Sequence, residues 1–144
     1  MIPSNYQMIL ARIVDSLKFE EGYRAHAYHD HLGVLTIGYG RNIDKSGLGI
    51  SKKEAKTLLE NDVRRTAIEI EMTFPWSNNL PALQRETLIE LAFQMGTPRL
   101  LGFKKMLAAL EAGDYETAAT ELLDSRYATQ TPERAQRYAD KIAQ

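Results

Sequence analysis

Three side chains near the start of the chain have the types and spacing for chemistry. Glu21 is followed nine positions later by Asp30 and six positions after that by Thr36. They lie in the stretches Phe19-Glu20-Glu21-Gly22, Tyr28-His29-Asp30 and Thr36-Ile37-Gly38-Tyr39-Gly40. Two carboxylates and a hydroxyl meet the needs of glycosidic bond cleavage: one acid protonates the leaving oxygen, and the other groups hold and activate a water. Each residue also has an ordinary reading. Glu20 and Glu21 stand at a helix end, where a carboxylate faces the negative pole of the dipole at a cost of about 0.3–1 kcal/mol. Asp30 suits a β-turn and Thr36 a strand. Glu21 adjoins the glycine that turns the chain and so points toward the strand segment, which leaves Glu20 as the bystander.

The elements that must position these groups are legible from periodicity. Met8, Ile9, Ile13, Val14 and Leu17 recur at three- and four-residue steps, predicting a helix over about 5–20, with Pro3 ahead of it, Ser4 or Asn5 as cap and Gly22 at its end. From Arg24 to Tyr39 the residues favour strands around an Asp30-His31-Leu32-Gly33 turn, a small hairpin or meander, and 42–49 reads as loop. Ser51-Lys52-Lys53-Glu54 is a capping box opening a helix over 51–72, roughly 30 Å long. Further helices are predicted over 83–93, 100–112 and 115–123. A last helix starts at Thr131-Pro132-Glu133, with threonine as cap and proline at the first helical position. The expected class is α+β, mainly helical, with one small sheet inserted early.

Composition bounds the rest. A chain of 144 residues fits one domain. Its 18 basic and 19 acidic residues nearly cancel, so net charge gives no argument for nucleic acid or an anionic membrane. There is no cysteine, and the core alone must hold the fold. The first apolar run is broken by Arg12, Asp15 and Lys18, unlike a signal peptide or a spanning helix.

Taken together, Glu21-Gly22, Tyr28-His29-Asp30 and Thr36-Ile37-Gly38-Tyr39-Gly40 resemble the phage T4-type lysozymes, endolysins that cleave peptidoglycan. The resemblance resumes at Ile50-Ser51-Lys52-Lys53-Glu54-Ala55, Phe93-Gln94-Met95-Gly96, Gly102-Phe103, Ser125-Arg126 and Gln130-Thr131-Pro132-Glu133-Arg134, so it covers nearly the whole chain. It implies a single lysozyme domain over 1–144: a small β lobe at about 22–50, a connecting helix at about 51–72, and a helical lobe from 1–21 and 73–144. It implies a muramidase that cuts between N-acetylmuramic acid and N-acetylglucosamine. Glu21 would be the general acid, kept protonated by a partly desolvated site, and Asp30 with Thr36 would position and activate water. Substrate contacts would come from Asn42, Phe93, Gln94, Arg126, Gln130 and Arg134. Phe93 equally suits core packing. Arg134 matches an arginine that approaches the catalytic glutamate; in a helix's first turn it opposes the dipole, which calls for a carboxylate partner. Met106 and Glu121 depart from small polar contacts of the family and receive no binding role. Arg41 and Asp62 match a family ion pair.

The resemblance further implies no cofactor, a monomer with no stable membrane association, synthesis in the host cytoplasm, and a holin-like partner for release. A particle-borne enzyme is the other source. Two rivals keep the fold and change the chemistry: a wall-binding module without catalysis, and a lytic transglycosylase. A metal site is the third alternative, since His26, His29 and His31 all surround Asp30. On a strand they divide between two faces, so three convergent ligands would need a bend.

Overall fold

The periodic stretch near the N-terminus forms helix α1, Ser4–Glu21. The structure is a computed structural model and describes residues 4–144. Pro3, expected ahead of the helix, lies outside the described residues, and Asn5 falls inside α1 rather than capping it. Gly22 closes the helix as expected, its N–H donating to the Lys18 carbonyl at 3.1 Å.

Three strands follow, β1 (Arg24–His29), β2 (Leu35–Gly38) and β3 (Arg41–Asn42), paired antiparallel in the order β1-β2-β3. Of the expected hairpin or meander it is a meander, extended by a two-residue strand that runs into the first residue of the predicted loop. Tyr28 lies opposite Thr36, and Thr36 opposite Asn42. Directly opposed residues project from one face of a sheet, so these three side chains form a row.

Helix α2, Lys52–Thr73, opens on the capping box. The Ser51 N–H donates to Glu54 Oε1 at 2.9 Å, and the Glu54 N–H donates to Ser51 Oγ at 3.1 Å. Glu54 carries a second burden. Arg41 donates to it through Nη1 at 2.9 Å and Nη2 at 2.6 Å, and Nη1 also donates to the Gly49 carbonyl at 3.0 Å. Arg41 is thus paired with Glu54 in the first unit, and Asp62 faces Arg65 at 3.7 Å in the second. The planar guanidinium satisfies two carboxylate oxygens and a carbonyl at one place, joining β3, the loop after it and the start of α2.

The chain divides into two compact units, residues up to Lys56 and residues from Thr57 onward, with α2 running through the boundary. The second unit continues with a 3-10 turn (Pro75–Asn79), α3 (Ala82–Met95), α4 (Thr97–Leu100), α5 (Lys104–Ala112), α6 (Tyr115–Leu123), α7 (Arg126–Gln130) and α8 (Pro132–Ala143). Its core buries Ile70, Leu88, Leu91, Leu100, Met106, Leu110, Leu122 and Ile142 almost completely. In α8 the buried Ala135, Tyr138, Ala139 and Ile142 keep the helical three- and four-residue spacing. Buried Gln84 on α3 donates to the Ile142 carbonyl at 3.0 Å, satisfying a backbone group at the end of α8.

The helix expected over 100–112 begins only at Lys104. Leu100 instead ends α4, and the chain turns through Gly102 and Phe103, whose N–H groups donate to the carbonyls of Arg99 and Leu100 at 3.1 and 2.9 Å. Helix α7 has no counterpart among the predicted helices. Its signal was Ser125, whose Oγ accepts the Ala128 N–H at 3.1 Å. Thr131 precedes Pro132 as expected, but its hydroxyl donates back to the Tyr127 carbonyl at 3.0 Å and does not cap α8.

Candidate active site

Glu21, Asp30 and Thr36 come from three different elements and line one cavity of about 650 Å³ in the first unit. Glu21 is the last residue of α1, Asp30 follows β1, and Thr36 lies within β2. Asn42, expected to bind substrate, lines the same cavity, as do Glu20, Arg24, Tyr28, His29, His31 and Gly40. The row Tyr28, Thr36 and Asn42 is the contribution of the sheet face.

Asp30 is held by its own turn. Its Oδ1 accepts the Leu32 N–H at 2.8 Å and the Val34 N–H at 2.9 Å, and its own N–H donates to the Val34 carbonyl at 2.9 Å. The Val34 and Leu32 hydrogen bonds, with a smaller contribution from the charges of His31 and His29, hold its carboxyl below the usual aspartate value. With Oδ1 doubly occupied, Oδ2 is the oxygen left to accept from a water or a sugar hydroxyl. His29 and His31, two of the three histidines weighed as metal ligands, thus border the site and favour the Asp30 anion. Among the described residues, no three His, Cys, Asp or Glu side chains gather as a metal-ligand set.

Thr36 is buried, and its Oγ1 donates to the Val34 carbonyl at 2.8 Å. Its proton is committed there, so it meets the cavity as an acceptor. Asn42 is also partly committed: its Oδ1 accepts the Asp44 N–H at 2.9 Å, and its amide packs where a side chain on Gly47 would overlap it. Glu21 is exposed, with its carboxyl beside Gly40.

The other expected substrate contacts lie in two cavities of the second unit. Phe93, Gln94 and Arg134 line an apolar one of about 360 Å³ with Leu59, Val63 and Ile89. Gln94 is the hub there. Its Oε1 accepts the Tyr127 hydroxyl at 3.0 Å and Arg134 Nη1 at 3.2 Å, and its Nε2 donates to the Tyr138 hydroxyl. Arg126 and Gln130 line a cavity of about 690 Å³ with Met106 and Glu121. There Gln130 Oε1 accepts Arg99 Nη2 at 3.0 Å. Arg24 carries no signal in the sequence beyond strand preference, and Gly40 and Glu54 stand there only as members of longer stretches, the Thr36–Gly40 run and the capping box with its flanks.

A family model described as phage lysozyme matches residues 18–137. A probable T4-type lysozyme of Dictyostelium discoideum is 31% identical, covering 90% of this chain and 92% of its own. An endolysin of Salmonella phage P22 is 30% identical, covering 83% of this chain and 84% of its own. The pre-baseplate central spike protein of Enterobacteria phage T4 is 30% identical across 87% of this chain, which corresponds to 26% of the spike protein.

Proposed function

The chain belongs to the phage lysozyme family, and on that premise we propose that it hydrolyses the β-1,4 bond between N-acetylmuramic acid and N-acetylglucosamine in bacterial peptidoglycan. As a member of that family it is a glycoside hydrolase. The observation that carries the finer reading is the convergence of Glu21, Asp30 and Thr36 on one cavity.

In this mechanism Glu21 protonates the glycosidic oxygen as the bond to the anomeric carbon breaks. Glu21 is exposed, with its carboxyl beside Gly40, where a bound glycan would reach it. Asp30 stays ionised because two backbone N–H groups bond its carboxylate, and Oδ2 takes a proton from the attacking water. Thr36 accepts that water's other hydrogen through Oγ1. Both groups are fixed by neighbouring backbone, so little reorganisation is needed when the transition state forms. Asn42, Phe93, Gln94, Arg126, Gln130 and Arg134 contact the glycan strand in this reading.

The enzyme acts as a monomer that reaches the wall with the help of a holin-like permeabilising protein. Among the described residues no helix is long and apolar enough to cross a membrane. The match to part of a phage spike protein favours a second setting for the same chemistry, on a phage particle.

The test is digestion of purified peptidoglycan by wild type and Glu21→Gln, with mass spectrometry of the products. Reducing ends released by wild type and lost in Glu21→Gln are expected. Anhydro ends would instead identify a transglycosylase, and no cleavage a binding module.

A further inference from the structure

Gly40 lies nineteen residues beyond Glu21 in sequence, in the turn between β2 and β3. A methyl group placed on its α-carbon would lie 2.7 Å from Glu21 Oε2, 2.9 Å from Cδ and 3.3 Å from Cγ. Ordinary contact begins at 3.4 Å, so the Glu21 carboxyl sits where any side chain at position 40 would intrude. The turn itself is held beside the end of α1: Tyr39 packs against Tyr23 with ring centroids 5.6 Å apart. We infer that Gly40 is a positioning residue, its bare backbone forming the wall against which the Glu21 carboxyl is seated in the cavity shared with Asp30 and Thr36. The inference rests on the reading of Glu21 as the acid.

Backbone conformation alone does not account for this glycine. Gly40 has φ +75° and Gly38 has φ +69°, a left-handed region that favours glycine at both. A methyl group on Gly38 would meet nothing within 4 Å. The two glycines carry matched strain and differ in what faces them. At Gly40 the clash is with the far end of a flexible side chain, which swings away without unmaking the fold. The loss therefore falls on the placement of the carboxyl, where a displacement of about 1 Å costs on the order of a hundredfold in rate.

Wild type, Gly38→Ala, Gly40→Ala and Glu21→Gln are compared for kcat and KM on purified peptidoglycan, with thermal melting to verify folding and the side-chain carboxyl 13C resonance of Glu21 to follow its surroundings. Gly40→Ala is expected to lose about a hundredfold in kcat with KM within about threefold, and to move the Glu21 resonance. Gly38→Ala keeps kcat and the resonance close to wild type while sharing the loss in melting temperature. A Glu21 resonance in Gly40→Ala that matches Gly38→Ala, or equal kcat losses in the two, overturns the inference. Cleavage retained by Glu21→Gln overturns the reading of Glu21 as the acid, a separate result on which the resonance comparison does not depend.

Discussion

Arg41 and Glu54 form a two-pronged ion pair, Nη1 to Oε1 at 2.9 Å and Nη2 to Oε2 at 2.6 Å. The hydrogen bonds from Arg41 and then those from Ser51 bring the Glu54 carboxyl down to about 2 from an ordinary 4.5. Between those values the unfolded chain binds the proton that the folded chain refuses, so stability falls as pH falls. The contribution is complete above about 4.5 and is lost as pH drops toward about 2. Asp30 and Asp114, also lowered, act in the same direction. Melting temperatures of wild type and Glu54→Gln should therefore differ at neutral pH and converge toward pH 2. A constant difference across that range would show that the pair does not act through ionisation.

Thr36 offers a test of water placement. Thr36→Ser keeps the acceptor and should retain most activity. Thr36→Val keeps the shape and loses the acceptor, and should lower kcat about a hundredfold with little change in melting. The Val34 carbonyl, deprived of the hydroxyl, still accepts the Asp30 N–H, so the turn survives. Equal activity of the two variants would remove Thr36 from the mechanism.

Asp30→Asn separates charge from shape. The amide oxygen of the substituted side chain can still accept from Leu32 and Val34, and the side chain can no longer take a proton from water. Cleavage should fall by about 10²–10⁴, measured as reducing ends released per folded enzyme. Proton NMR of the first-formed anomer in the wild-type reaction decides between inversion and retention.

Gln94 is tied to Tyr127, Tyr138 and Arg134 through one amide. Gln94→Ala leaves these groups to find other partners and should cost about 1 kcal/mol in urea unfolding. Gln94→Glu keeps the two bonds accepted by Oε1, changes the one donated to Tyr138, and should cost less. A cost near zero for alanine would show that water replaces the hub without loss.

Ser125 should prove structural. Ser125→Ala removes the hydroxyl that caps α7 and should destabilise the protein by about 0.5–2 kcal/mol in urea unfolding. Ser125→Asp, which caps in the same way, should restore most of that loss.

What the chain carries locally was readable from sequence. Apolar spacing marked α1, α2, α3 and α6 to within two residues at their ends, because helical contacts recur three and four positions apart. Pro132 marked the start of α8. The capping box at Ser51 and Glu54 is likewise a four-residue event, and the Asp30 turn closes within residues 30–34. Glu21, Asp30 and Thr36 could be named as a set because their elements adjoin in sequence and fold back as a meander. Other relationships required the tertiary structure. Arg41 meets Glu54 because the end of β3 and the loop after it bring the guanidinium to the start of α2. Gln94 met partners 33 to 44 residues away because α3, α7 and α8 share one core. The break before α5 depended on Leu100 being buried at the end of α4. Gly40 reads in sequence as one more turn glycine; only the folded register sets it against Glu21. Periodicity and capping are short-range and leave a local trace, whereas the choice of a distant partner is made by packing and strand register, which no short window of sequence contains.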